Sequence, residues 1–316
     1  MSHSLLLTPL LAALPLWLDT LLVAGACAAA AVALLVAVYF GLKLVAPRVA
    51  AIARMGAKEA QTQPLFWGEI ALGSLALLLF ALIPYNTFGD DLKVMKDSGL
   101  TLITVLGILL AVWSASVSVA EELEGRTALT LLSKPVTRRQ FILGKFLGVL
   151  APVYVLCVVL GTVFLLCIAF RVSFESVELA RRAASAEQCR YEMLQIVPGL
   201  VLAFFEAMVL SSISVAISTR LPMIPNLVIC AAIYALGHLG PLFVQSSMGR
   251  LPIVTFVGQF LATILPVLDH FNIQAAVAAG REVPLEYLAW AFGYAVLYST
   301  VAMLLALVLF EDRDLA

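Results

Sequence analysis

The amino-acid sequence predicts an all-α polytopic membrane protein, and three observations predict it. Of 316 residues, 63% are hydrophobic and 12% charged, against roughly 45 to 50% and 25% in soluble domains. The mean hydropathy is +1.05. The apolar residues fall into long runs that meet the length of about 20 residues needed to cross a bilayer as a helix, separated by short polar breaks. The formal net charge of -1 gives no concentrated basic face for nucleic acid. The five cysteines are scattered, Cys27, Cys157, Cys167 and Cys230 within apolar runs and Cys189 alone in a loop, so neither a metal-binding spacing nor a disulfide framework is present.

In chain order, Leu5 to Leu18 is apolar but interrupted by Pro9 and Pro15, with no basic segment ahead of it; this is not the pattern of a cleaved signal peptide. Thr20 to Leu42 is the first span, peripheral to the core, and its Gly25 and Ala29, four apart, suit a close helix crossing. Lys43 to Trp67 is rich in basic residues and is placed on the cytoplasmic side by the positive-inside rule. Within it Val49, Ile52 and Met55 give an amphipathic helix expected to lie along the membrane interface. Gly68 to Phe88 is the second span, Gly89 to Ser98 a short external segment, and Gly99 to Ala120 the return span. The return span carries Thr104, Gly107, Ala111, Ser114 and Ser118 on one small, weakly polar face. Such a face serves close packing or lines a pathway, and packing against a second copy of the chain satisfies both.

Ser118 to Gly148 is the main polar break of the first half. It turns acidic at Glu121, Glu122 and Glu124, breaks at Gly125, restarts as a short segment and stops at Pro135. Arg138, Arg139 and Lys145 then lead into the next apolar run. Leu129 and Leu132 share one side of the short segment, bracketed by Arg126 and Lys134. A helix this short has no stability of its own in water. Its residues fit a helix on the lipid surface and a helix docked on another protein about equally.

Phe146 to Phe170 is the following span; Arg171 to Gln195, with mixed charges, reads as a solvated surface helix or cap. Ile196 to Thr219 and Asn226 to Val244 form a further pair of spans around a turn at Arg220 to Pro225. Ile253 to Leu268 is apolar but short, so it is read as a re-entrant or interfacial helix. Leu285 to Phe310 is the last span, which makes seven and puts the amino terminus outside and the tail from Glu311 inside. Glu206 is the ionisable residue deepest in a span. A charge there costs several kcal/mol, so Glu206 is protonated, paired or turned to a wet cavity, with His238 a candidate neutral partner; structural and functional roles are equally open.

The order Glu121, Gly125, Arg126, Leu131, Leu132, Ser133, Pro135, Val136, Arg138, Gly144, Lys145 resembles the signature of the type 2 exporter permeases of the ATP-binding cassette superfamily (the ABC-2 membrane family). A second resemblance lies in residues 265 to 272, LeuProValLeuAspHisPheAsn, ahead of a final span closed by residues 310 to 315, PheGluAspArgAspLeu. The resemblance covers residues 68 to 316 and leaves residues 1 to 67 as an added span with an amphipathic linker. It implies a six-helix permease core whose loop at 121 to 145 is a cytoplasmic coupling element. The residues that would dock or couple are Glu121, Glu122, Gly125, Arg126, Leu129, Leu132, Pro135, Arg138 and Lys145. The implied partners are two copies of an ATPase subunit and a second permease copy, in the plasma (inner) membrane.

An enzymatic role has no motif to rest on. The Gly144–Lys145 pair is followed by Phe146 instead of Ser or Thr, and Arg139 stands where a phosphate loop needs its first glycine, so ATP would be bound by the partner. No cofactor is expected on this chain, and no metal. The leading reading is therefore the permease subunit of an ATP-driven exporter. A secondary carrier driven by an ion gradient, for which no internal repeat is found, and a membrane anchor or assembly factor without transport are the alternatives.

Overall fold

In the computed structural model, residues 4–83, 91–124, 137–178, 185–245 and 265–311 are described, and all their regular elements are helical. The α-helices are α1 (Ser4–Val45), α2 (Pro47–Thr62), α3 (Pro64–Leu82), α4 (Asp91–Glu124), α5 (Arg138–Glu178), α6 (Ala186–Leu194), α7 (Val197–Ser218), α8 (Met223–Gln245), α9 (Gln274–Ala278) and α10 (Leu285–Glu311). A 3₁₀ turn at Leu268–Phe271 precedes α9. Six helical segments among the described residues are long and apolar enough to cross a membrane, and Met223–His238 is a shorter apolar helix. The expected order of about seven spans is therefore present.

The bundle is centred on α4, α5 and α7. Within their most apolar stretches 72%, 56% and 67% of the residues are buried, against 6% in α1 and 28% in α3 and α10. Leu100, Ile103, Leu110, Leu156, Leu160, Phe164, Leu202 and Leu210 form the interior. The outward side chains of α1, α3 and α10, such as Leu21, Leu72 and Trp290, are exposed, as a lipid-facing surface requires.

Several expectations change. Pro9 and Pro15 do not interrupt the first helix; α1 runs through both, because a long apolar helix tolerates the lost N–H. Its contact with the bundle is not made by Gly25, which has nothing within 4 Å of an added Cβ. Thr20 and Ala24 are buried instead, and the Tyr154 hydroxyl donates to the Ala31 carbonyl at 2.9 Å. The linker helix α2 forms as expected but buries Val49, Ala50, Ala53, Gly56 and Ala60, while Met55 is exposed. Its small-residue face lies on α5: a Cβ at Gly148 would stand 3.1 Å from the Ala53 carbonyl oxygen and 3.3 Å from Gly56 Cα. Of the expected apolar face, Val49 is buried and Ile52 packs beside Gly144, and only Met55 points out; the rest of the contact comes from alanine and glycine, which let the two backbones approach.

The segment 89 to 98 is not a purely external connection, since α4 already begins at Asp91. Lys96 is buried and donates to Glu192 and Gln195. Nor is 171 to 195 a free charged surface: α5 continues to Glu178, and buried Arg171 pairs with Asp91. Ser185 caps α6 by accepting from the Gln188 N–H at 3.1 Å, and α6 buries Cys189 and Met193. α6 is thus the expected surface helix, with Glu187 and Arg190 exposed, whereas Lys96 and Arg171 are buried and neutralised by charges distant in sequence. The small face of α4 is covered within the chain, with Gly107 beside Cys157 and Ala207 and Thr104, Ala111, Ser114 and Ser118 all buried. That is the packing role, and it needs no second copy. Most of the expected short helix at 253 to 268 lies outside the described residues; its last residue, Leu268, is buried against Gly237 of α8.

Candidate functional site

The loop singled out in the sequence leaves from α4 and returns into α5. Glu121 and Glu122 lie in the last turn and a half of α4. Gly125, Arg126, Leu129, Leu132 and Pro135 lie outside the described residues. The return is sharply defined. Thr137 and Gln140 cap α5 reciprocally: the Gln140 N–H donates to Thr137 Oγ1 at 3.3 Å, and the Thr137 N–H donates to Gln140 Oε1 at 3.2 Å. This pairing satisfies two backbone donors that the first turn would leave open. Arg138 opens α5 with its guanidinium 5.9 Å from the ring centre of Phe310, and Phe141 stacks on the same ring at 5.8 Å. The end of α10 therefore sits beside the start of α5.

Lys145, grouped with the docking residues from sequence, points inward. Its side chain is 3% exposed, and its ammonium donates to Ser118 Oγ of α4 at 2.9 Å and stands 3.8 Å from Glu59 Oε2 of α2. It ties α2, α4 and α5 together just before the loop.

A second polar cluster, which the sequence reading did not assemble, lies two residues from Ser118. Asn226, in the first turn of α8, is fully buried. Its amide nitrogen stands 2.7 Å from Ser116 Oγ of α4 and 2.8 Å from both Ser214 Oγ and Ser218 Oγ of α7, and these three oxygens share its two N–H donors. The hydroxyl protons go elsewhere, Ser116 and Ser214 to the Val112 carbonyl and Ser218 to the Ser214 carbonyl. Cys230 donates to Asn226 Oδ1 at 3.3 Å. The available signal was an asparagine just inside an apolar run after Pro225, but its serine partners are about 10 and 110 residues away.

Glu206 of α7 and His238 of α8 do face each other, with His238 Nε2 3.4 Å from Glu206 Oε1. His238 Nδ1 lies 3.1 Å from the Tyr234 carbonyl, and a carbonyl only accepts, so Nδ1 carries a proton. The Nε2–Oε1 contact is not aligned as a hydrogen bond, and among the described residues Glu206 Oε1 has no hydrogen-bond partner. Glu69 of α3 is 4% exposed, and among the described residues neither of its carboxyl oxygens has a hydrogen-bond partner.

A family model described as "ABC-2 family transporter protein" matches residues 49–315. The chain belongs to the ABC-2 transporter family. The match begins within α2, ahead of the Gly68 boundary drawn from the sequence, and leaves the whole of α1 outside. A comparison with curated proteins finds no match. As an ABC-2 family member the chain is a multi-pass membrane protein and the permease component of an ABC transporter, a class that works with an ABC ATP-binding subunit.

Proposed function

We propose that this ABC-2 permease couples ATP hydrolysis in separate ATPase subunits to export of a substrate, through the segment 121–145. Two ATPase copies and a second permease copy complete the assembly, with the loop and the carboxyl terminus cytoplasmic and the amino terminus outside. The single observation that supports this most is the bracing on either side of the loop. The segment leaves from a helix tied by Ser118 to Lys145 and returns into a capped helix start, and in the sequence it carries the apolar pair Leu129 and Leu132 between Gly125 and Pro135. A loop anchored this way can pass a push to α4 and α5 instead of absorbing it.

Chemistry belongs to the partner in this reading, since the chain has no phosphate loop. Glu206 and His238 are polar groups inside the bundle, with a structural role or a place on the substrate's route. The test is co-purification. A tagged permease expressed with the ABC ATP-binding subunit of its host is expected to hold that subunit in detergent and to change its ATP hydrolysis in vesicles. A permease that is folded and inserted yet holds no such subunit contradicts the reading.

A further inference from the structure

We propose that Asn226 is a positioning residue that fastens the end of α4 to α7 and α8, so that movement of the loop after Glu124 reaches those helices together. The proposal rests on the reading of 121–145 as the coupling segment and goes beyond it in naming where the movement goes. Successive residues of a helix are turned by 100°, so Ser116 and Ser118 project in nearly opposite directions. Ser118 meets Lys145 and, through it, Glu59 of α2. Ser116 meets Asn226 and, through it, Ser214 and Ser218 of α7. The last described turns of α4 are thus gripped on opposite faces by two polar side chains from different parts of the chain. Apolar packing alone permits small sliding between helices; hydrogen bonds with fixed directions do not.

The chemistry selects asparagine. Three hydroxyl oxygens and the Ser214 carbonyl surround its nitrogen, and the hydroxyl protons are already committed to backbone carbonyls. The site therefore requires a donor that brings two protons and no charge, which the carboxamide supplies. Aspartate would add acceptors to a cluster of acceptors and force the hydroxyls off their carbonyls. Leucine has similar size and leaves every serine proton satisfied, so it removes the tie while leaving the packing largely intact.

The experiment has two arms. In the first, amide hydrogen exchange is followed by mass spectrometry on the purified full chain in lipid nanodiscs. Asn226→Leu is expected to raise exchange at least ten-fold in peptides covering 112–118 and 214–226, and to leave α2 unchanged. Ser116→Ala gives a smaller rise in the same peptides, and adds nothing in the Asn226→Leu background because both remove one tie. In the second arm, the permease is reconstituted with the ABC ATP-binding subunit. Asn226→Leu is expected to hold the subunit at wild-type stoichiometry yet lose at least five-fold of the permease-dependent ATP hydrolysis, an effect that a merely structural role would not separate from assembly. If Asn226→Leu does not fold, Ser116→Ala carries both arms. Unchanged exchange, or loosened helices with full hydrolysis, overturns this proposal alone. A wild-type chain that captures no ATP-binding subunit overturns the coupling reading, and this proposal with it, whatever the exchange shows.

Discussion

The crossing of α2 over α5 sets a sharp test of how the linker helix is held. At Gly148 the nearest atoms to an added Cβ are backbone: the Ala53 carbonyl oxygen at 3.1 Å, Gly56 Cα at 3.3 Å and Ala53 Cα at 3.5 Å. None can rotate away, so a methyl group must push the helices apart by a few tenths of an ångström. A gap of 0.5–1 Å already forfeits about a quarter to a half of each contact's dispersion energy. Overpacking of this kind costs about 1–3 kcal/mol, offset by about 1 kcal/mol from replacing a helical glycine with alanine. Gly148→Ala is therefore expected to be near neutral to about 2 kcal/mol destabilising. Gly148→Leu cannot be accommodated and should free α2 from α5, carrying Glu59 away from Lys145. The control is Gly25→Ala, where nothing lies within 4 Å; it should be neutral or gain up to about 1 kcal/mol. The assay is reversible unfolding in mixed detergent micelles, with protease sensitivity of 47–62 reporting on α2. A Gly148→Leu variant as stable and as protected as wild type would refute the close crossing.

Near the start of α4, Lys96→Met alone should destabilise by about 3–5 kcal/mol by leaving Glu192 without its buried cation, and adding Glu192→Gln should recover much of it in the same unfolding assay. Glu206→Gln should be tolerated and Glu206→Leu should lower the yield of folded protein if the carboxyl makes a polar contact with His238; equal behaviour of the two variants by size-exclusion chromatography would exclude that. Single cysteines at Lys58 and Lys134 in a cysteine-free background should resist a membrane-impermeant thiol reagent in intact cells, and labelling of either would reverse the orientation.

The spans were legible because length and hydropathy alone define them: Gly68 to Phe88 against α3, and Leu285 to Phe310 against α10. Contacts between spans were not. The small face of α4 gave its helical spacing away, but only the structure shows that α5 and α7 cover it. Charges misled most. Lys96, Arg171 and Glu192 looked like solvated surface residues, since a sequence gives no sign that partners some 80 and 96 residues apart will meet. Lys145 was legible as part of a family signature and not as a buried brace. Asn226 was invisible because its meaning lies in three serines from two other helices.

The most direct measurement of the coupling account is the double substitution Leu129→Asp with Leu132→Asp. Each leucine could lose about 1.5–3 kcal/mol of burial on docking, and each new carboxylate would resist desolvation. Pull-down of the ATP-binding subunit in detergent, alongside ATP hydrolysis in vesicles, reads the result. The account predicts a permease that inserts and folds but no longer holds the subunit; a double variant that binds and couples as wild type would mean that the segment is a lipid-surface helix and that coupling runs elsewhere.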